Sequence, residues 1–460
     1  MLDTMEKKDT VAAISTAQAP GGIGVVRISG PRARQVGDRV FRSAKGKTIR
    51  ETPGYTALYG GVYDGEEKLD EAIALVFAAP ASFTGEDVVE LSCHGGVFVM
   101  RRVLEAVLKA GAAPAGPGEF TKRAFLNGKI GLTEAEAVMQ VISAQGMQSA
   151  RAARAGKEGA LEKRIAGVRE RLIDAAAHLA AWADYPDDDV PQVNEAELKD
   201  GLLETCEQLE QLLKQFDAGR AIREGVDTVI VGRPNVGKST LMNLLAGCER
   251  SIVTQYAGTT RDVVEDTVVL GDILLRLADT AGIRSTEDPV ESIGVDIAKN
   301  RLQSAQLVLA VFDSSSPLSQ DDRELMERLR GVPTVAVVNK TDLEPQIDLE
   351  ELHRSFSQVV SISARNGEGL AELSQACAQV LETTSLNPSE GMLFTERQRD
   401  DARQALNCAK EALMAMESGM TLDAVTVSVE GAVSALLELT GERATEAVVD
   451  SVFAQFCVGK

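Results

Sequence analysis

The sequence predicts a multidomain protein of mixed class. It has an N-terminal α/β domain, an all-α domain made from two separated segments, and an α/β domain with a mainly parallel sheet inserted between those segments. Three observations predict this. The chain has 460 residues, several times a common domain length of about 100–150 residues, so separate cores are expected. Helix-like texture appears twice, on either side of a compact stretch in which short apolar runs alternate with helix-like segments. That alternation is the pattern of a parallel sheet covered by helices on both faces.

From Thr10 to about Phe125 the chain is rich in Gly, Pro and short apolar runs. Val11–Ile14, Gly24–Ile28, Ala72–Phe77 and Val88–Leu91 are each bounded by turn residues and predict strands. From Thr133 to about Arg223 the apolar residues recur at spacings of three and four, as in Leu202, Leu203, Cys206, Leu209, Leu212 and Leu213, which predicts amphipathic helices. The acidic run from Asp184 to Asp189 interrupts this stretch and reads as a solvated turn between helices. Helical texture returns from Glu396 to Leu439. Between the two, Thr228–Val231, Leu274–Ala278, Leu307–Phe312, Thr334–Val338 and Gln358–Ile362 predict the strands of the inserted domain.

The composition is that of a globular protein, with 44% hydrophobic and 25% charged residues. No stretch approaches the roughly 20 apolar residues of a membrane span, and the first ten residues lack an apolar signal core, so a cytoplasmic location without membrane contact is expected. Six scattered cysteines and three histidines, with no Cys-x-x-Cys pair, suggest neither a disulfide framework nor a zinc site. The formal charge of −21 argues against a general nucleic-acid coat. It is unevenly spread: residues 1–130 carry 17 Lys/Arg against 15 Asp/Glu, and residues 131–460 carry 31 against 54. A polyanion would therefore find its better host in the first segment.

Gly232-Arg233-Pro234-Asn235-Val236-Gly237-Lys238-Ser239 fits the phosphate-loop pattern G-x-x-x-x-G-K-[ST], after a β-branched run and before the helix-like Thr240–Ala246. Backbone amides there cradle phosphate, Lys238 supplies a point charge to the β/γ-phosphates, and the Ser239 hydroxyl is placed to ligate Mg²⁺. Asp279-Thr280-Ala281-Gly282 ends a strand-like run, where a carboxylate holds Mg²⁺ through water and the glycine amide senses the γ-phosphate. In Asn339-Lys340-Thr341-Asp342 the last carboxylate accepts two hydrogen bonds from guanine that adenine does not offer, a discrimination of about 1–3 kcal/mol. Ser363-Ala364-Arg365 stands where a base-capping loop belongs, and Thr260 supplies a switch-type hydroxyl to Mg²⁺. Five such motifs in this order predict a P-loop G domain that binds GTP and GDP with Mg²⁺ and hydrolyses GTP. One departure stands out: where Ras-like enzymes place a water-orienting Gln, this chain has Ile283, so either hydrolysis is slow or another group takes over.

Beyond these motifs the sequence resembles the MnmE (TrmE) family of tRNA modification GTPases over essentially its whole length. The likeness is carried by Asp9–Thr16, Gly22–Gly30, Ser82–Glu90, Cys93-His94-Gly95-Gly96, Pro117–Thr121 and the terminal Phe456-Cys457-Val458-Gly459-Lys460. The resemblance implies a tetrahydrofolate-binding and dimerisation domain over residues 1–126, a helical domain over 127–222 and 384–460, and the G domain over 223–383. It implies that Arg27, Glu90, Lys129 and Lys460 hold a tetrahydrofolate derivative, 5-formyl or methylene. A K⁺ ion held by Asn235, Thr254, Tyr256 and Thr259 would pair G domains and act in place of an arginine finger. Thr254-Gln255-Tyr256-Ala257-Gly258-Thr259 would complete the nucleotide contacts together with Thr240, and Glu291 would organise the attacking water while Lys238 serves as the other catalytic group. Cys457 is a candidate functional thiol; Cys457–Lys460 superficially resembles a prenylation box, but Lys is not a usual last residue.

The implied function is the GTP-hydrolysing component of a system adding an aminomethyl or carboxymethylaminomethyl group at C5 of the tRNA wobble uridine. The implied assembly is a homodimer that forms a heterotetramer with the flavoprotein MnmG, which would supply much of the tRNA affinity. Two other classes compete: a ribosome-assembly or regulatory GTPase acting only as a switch, and a folate enzyme carrying an incidental GTPase. A single phosphate loop and the lack of a basic tail weigh against the former, and intact guanine motifs against the latter.

Overall fold

The computed structural model describes residues 9–184, 194–247, 266–277, 305–381, 387 and 389–460. The chain divides into two compact units, residues 1–139 with 437–460, and residues 140–436.

In the first unit seven strands form one sheet: β1 (Val11–Ile14), β2 (Ile23–Ser29), β3 (Phe41–Ser43), β4 (Thr56–Asp64), β5 (Glu67–Phe77), β6 (Val88–His94) and β7 (Ala113–Pro114), in the order β3-β4-β5-β6-β2-β1-β7. All neighbours are antiparallel except β1 and β7. Along β5 the residues Ala72, Ala74 and Val76 are buried while Glu71 and Ile73 are exposed, the period-two pattern of a sheet covered on one face. The covered face packs Val26, Ile28 and Leu91 with Val36, Val103 and Val107 from the helices Ala33–Val40 and Val97–Lys109. The four strand-like runs of the sequence lie within β1, β2, β5 and β6. The long strand β4 was hidden by Gly60 and Gly61, because glycine weakens a strand pattern. Gly60 is nevertheless required: a Cβ there would run into the carbonyl of Arg42 on β3.

The motif Ser82–Glu90 folds as a braced loop leading into β6. Thr84 is fully buried, and its hydroxyl shares a 2.8 Å hydrogen bond with Ser29. Glu86 accepts from Ser29 at 2.8 Å and from the buried Arg123, which also donates to Glu119 at 2.9 Å. A charge this buried needs such partners, since desolvation otherwise outweighs its attraction. Around these, the helices Glu119–Leu126, Leu132–Ser143 and Glu446–Ala454 close a core of Leu132, Ala135, Val449, Phe453 and Phe456. Residues 125–139 and 444–456 thus share one core.

In the second unit, the helix Glu195–Glu224 packs along Glu396–Glu417. The first is capped by Asn194, whose side chain accepts from the amides of Ala196 and Glu197. Leu202, Cys206, Leu209 and Leu212 are buried, whereas Leu203, one position off the stripe, is exposed. The partner offers Ala402, Ala405, Ala409 and Ala412 at alternating three- and four-residue spacing, small side chains that let the axes approach closely. Ion pairs Lys410–Glu210 (2.6 Å) and Lys199–Glu417 (3.0 Å) border the seam.

The helix Glu195–Glu224 runs into the second sheet, of order β13-β12-β11-β8-β10-β9. Its strands are β8 (Val226–Val231), β9 (Asp266–Leu270), β10 (Ile273–Leu277), β11 (Leu307–Asp313), β12 (Thr334–Asn339) and β13 (Gln358–Ser361). Five strands are parallel and the edge strand β9 is antiparallel. The central strand β11 is buried on both faces. Leu309 and Val311 meet Leu241, Leu245 and Leu373 on one side, and Ala310 and Phe312 meet Met326, Leu352 and Phe356 on the other. This is a doubly covered parallel sheet, and ligands of such sheets bind beyond the carboxyl ends of the strands.

His94, at the end of β6, shares a 2.7 Å bond with the carboxylate of Asp70, which also accepts the His94 amide at 2.8 Å. The hydrogen bond to Asp70, and then its charge, hold the imidazole above its ordinary value of 6.5. A raised folded-state value means that the pair's contribution to the first unit is complete below about pH 6.5 and is lost as pH rises through the folded value. With only three histidines in the chain, an NMR titration should find His94 above 6.5, and Asp70→Asn should return it to about that value. A His94 that titrates identically in both proteins would show that the pair has no electrostatic consequence.

Candidate functional site

The candidate site is built at the carboxyl ends of β8, β12 and β13. β8 delivers the loop Gly232–Gly237 and the helix Lys238–Gly247 follows directly. The loop has three left-handed backbone positions, Gly232, Asn235 and Gly237, with φ of +152°, +64° and +98°. Two of them are also close approaches: a Cβ on Gly232 would run into the carbonyl of Val311, and one on Gly237 into the side-chain nitrogen of Asn339. Only glycine meets both demands. Val236 is fully buried and pins the loop to the core.

The helix Lys238–Gly247 has no acidic residue in its first turn, and Ser239 and Thr240 are exposed there. Its unpaired amides and positive dipole end form an anion-binding environment. The Lys238 ammonium bends back over the loop and donates to the carbonyls of Gly232 (2.7 Å) and Arg233 (2.8 Å). Burial pushes its pKa below the ordinary lysine value.

Asn339 does not face solvent; it is 2% exposed and acts as a brace. Its side-chain nitrogen donates to the Val236 carbonyl at 2.9 Å and its oxygen accepts from the Ala364 amide at 3.0 Å, tying the phosphate loop to the loop Ser363–Arg365. Lys340, at φ +68°, donates to Asp313 at 2.5 Å. Burial alone would raise the Asp313 carboxyl, but hydrogen bonds from Lys340 and Ser315 outweigh it and hold the group below its ordinary value. Asp342 is exposed, and one of its oxygens accepts from the buried Ser363 hydroxyl at 2.8 Å. Thr341 is held by its amide on the Ile362 carbonyl, Ala364 is buried and Arg365 is exposed.

Asn235, Val236, Gly237, Lys238, Ser239 and Thr240 therefore stand at one end of the sheet with Lys340, Asp342 and Ser363. Thr254, Gln255, Tyr256, Ala257, Gly258, Thr259, Thr260, Asp279, Thr280, Ala281, Gly282, Ile283 and Glu291 lie outside the described residues.

Sequence reasoning missed three further residues here. Asp313 anchors Lys340 from the end of β11. Arg233, an unspecified position of the phosphate-loop pattern, bonds the Ser316 hydroxyl and lies 3.4 Å from Asp322. Asp322 is 3% exposed and accepts from the Ser319 amide (2.9 Å) and hydroxyl (2.7 Å), capping the helix Gln320–Arg328. The available signal was the polar run Asp313-Ser314-Ser315-Ser316 directly after an apolar strand.

A second constellation occupies the first unit. Arg27 and Glu90 are direct cross-strand partners on β2 and β6, with Arg27 Nε 2.8 Å from Glu90 Oε1. The Arg27 guanidinium lies over the Phe120 ring at 5.3 Å and donates to the Gly459 carbonyl at 3.4 Å. The C-terminal tail is built in here: the Lys460 carbonyl accepts from the Phe120 amide (3.1 Å), and that of Cys457 from the Gly118 amide (3.3 Å). Lys129 is exposed and donates to the Pro80 carbonyl at 3.2 Å. Cys457 is half-buried, whereas Cys93, Cys206, Cys377 and Cys408 are buried. Burial pushes Cys93 and Cys377 up to about 12, which leaves them as inert packing groups.

A phosphate loop braced to a guanine-type base corner on a mainly parallel sheet defines a GTPase with additional domains on either side of its G domain. Residues 10–129 match the family model described as the GTP-binding protein TrmE N-terminus, and residues 132–457 match the MnmE helical domain. The chain belongs to the MnmE family of tRNA modification GTPases. It is 44% identical to the tRNA modification GTPase MnmE of Symbiobacterium thermophilum, covering 98% of this chain and 100% of that protein. The MnmE proteins of Clostridioides difficile and Geobacillus kaustophilus are 39% and 41% identical, covering 98% and 99% of this chain and 99% and 100% of theirs.

Proposed function

We propose that this GTPase drives modification of C5 of the tRNA wobble uridine, adding an aminomethyl or carboxymethylaminomethyl group from a folate-borne one-carbon unit. The observation that carries the GTPase half is the Asn339 brace, which ties the phosphate loop and the base-reading corner together. In this reading Lys238 and the helix amides take the phosphates, Ser239 and Thr260 hold Mg²⁺, and Asp342, steadied by Ser363, reads guanine. The described residues fit a magnesium nucleotide, because a helix end without acidic residues suits the phosphates, the exposed Ser239 hydroxyl stands there for the metal, and the Asp342 carboxylate stands at the base corner. Mg²⁺ would neutralise charge on the phosphates.

Asn235, Thr254, Tyr256 and Thr259 would hold K⁺, which would supply charge where an arginine finger acts and favour pairing of G domains in a homodimer. Glu291 takes the water-organising role that Ile283 does not fill. In the first unit a folate derivative suits Arg27, Glu90, Lys129 and Lys460: a carboxylate meets the donor edge of a pterin and cations meet the glutamyl tail. The support is that Arg27 and Glu90 are only partly covered, with side chains 18% and 21% exposed, and stand beside the C-terminal tail carrying Cys457 and Lys460. The domain limits proposed are 1–126, 127–222 with 384–460, and 223–383. The acidic charge of residues 131–460 favours a partner flavoprotein, MnmG, as the main source of tRNA affinity in the cytoplasm.

Mass spectrometry of tRNA from a strain lacking the gene should show wobble uridines without the C5 group, restored by the intact gene; unchanged uridines would remove this function and leave the GTPase. Hydrolysis should run at least about tenfold faster in K⁺ than in Na⁺ if the cation does an arginine's electrostatic work, and equal rates would exclude that role. Asp342→Asn should shift preference from guanine to xanthine nucleotides by about 1–3 kcal/mol, read by calorimetry with GDP and XDP; unchanged GDP affinity would show that another group reads the base.

A further inference from the structure

Hairpin β9–β10 spans the sequence between Thr259-Thr260 and Asp279–Gly282, the two motifs expected to answer to the γ-phosphate. Its turn, Gly271-Asp272, is held from two sides. The Ser374 hydroxyl on the helix Leu370–Val380 donates to the Leu270 carbonyl at 3.2 Å, and a Cβ on Gly271, at φ +63°, would run into that hydroxyl. From the other side, Gln148 in the first turn of the helix Met147–Lys157 donates its side-chain amide to Asp272 at 3.1 Å. Along β10, Leu274 packs against Gly225 at the entry to β8, and Arg276 pairs with Asp227 at 2.8 Å.

The Gln148 junction is half made. Its amide nitrogen is bonded, but its carbonyl oxygen is buried without a hydrogen-bond partner. A buried acceptor left unpaired carries its desolvation cost, so a rearrangement that gave this oxygen a donor would recover that cost. The hairpin, by contrast, is a short two-stranded ribbon with continuous register from Ile273↔Leu270 to Leu277↔Asp266.

We infer that Gln148 and Asp272 are positioning residues of the GTPase, coupling hairpin β9–β10 to the helix Met147–Lys157 so that this helix responds to the bound nucleotide. Neither residue touches the phosphate loop or the base corner. They act through the hairpin, whose two ends run toward the γ-phosphate motifs. Reciprocity follows from linkage: whatever biases the helix biases the hairpin by the same free energy.

The test uses the full-length protein with Mg²⁺ and either GDP or a non-hydrolysable GTP analogue. Amide hydrogen exchange over residues 147–157 should differ between the two nucleotides by about fivefold, the lower end of common allosteric couplings. Gln148→Ala and Asp272→Ala should each erase that difference, the double variant should add nothing, and affinity for both nucleotides should stay within about twofold. Each single variant should shift kcat at unchanged KM when the rate is expressed per nucleotide-binding-competent molecule, a normalisation that removes any loss of folded protein. Gln148 is only partly covered and Asp272 is exposed, so both variants should fold; Asp272→Asn, which preserves shape, provides a second version of the same measurement. A wild-type helix with no nucleotide-dependent exchange, or a difference that survives undiminished in both single variants, overturns the inference.

Discussion

The carboxamide of Asn339 is the contact on which the nucleotide site depends. The phosphate loop follows β8 and the loop Ser363–Arg365 follows β13, two strands separated in the sheet by β11 and β12. Their spacing must hold to within about 0.5 Å if both are to meet one nucleotide. Asn339, at the end of β12, fixes it with one donor and one acceptor on a single planar group. A buried carboxamide so placed is stabilised on both sides, and losing it would leave a carbonyl and an amide unpaired, at about 1–3 kcal/mol each. The same contact explains Gly237, because the Asn339 nitrogen occupies the space its Cβ would need.

The first unit depends on a different constraint, the return of the chain end. Arg27 and Gly459 are bonded across 432 positions. Gly459 sits at φ +99° against Ile14 and Ser15, where a side chain would collide with backbone. Gly118, at φ +61°, gives the same close approach to Phe453 and Phe456. Strands β3 to β6 pair in sequence order, but β6 returns to pair with β2 and β7 with β1, and the last core layer comes from the C-terminal segment. Long-range closure of this kind is entropically costly and slow relative to local pairing.

Much of this was legible in the sequence, for physical reasons. Strands buried on both faces, such as β11 and β12, appear as continuous apolar runs, and the phosphate loop is readable because its glycines have no substitutes. What escaped notice has reasons as well. β9 is an antiparallel edge strand beginning with Asp266 and Thr267, too polar and too short to register as an apolar run. Leu203 sits in an apolar cluster but points to solvent, because 3.6-residue geometry turns it away from the stripe. Asn339 was legible as a motif but not as a brace, since its two partners are 103 and 25 positions away. Gln148 carried no signal at all: a single polar residue on a helix is distinguished only by what the fold brings against it.

The segment Asp313–Ser319 shows how a site is stabilised by residues that never meet a ligand. Asp313 holds Lys340 at the base corner, while Ser316 and the capping pair Ser319–Asp322 hold Arg233 in the phosphate loop. One short loop therefore fixes both halves of the pocket from behind. Its charges are paired within the protein, so they do not compete for phosphate or magnesium. Asp322 in particular, buried and already bonded to Ser319, gains from the Arg233 guanidinium the counter-charge that its burial demands. A phosphate loop tethered this way is preorganised before nucleotide arrives. Less of the binding free energy is then spent on ordering the loop, and more remains to discriminate one nucleotide from another.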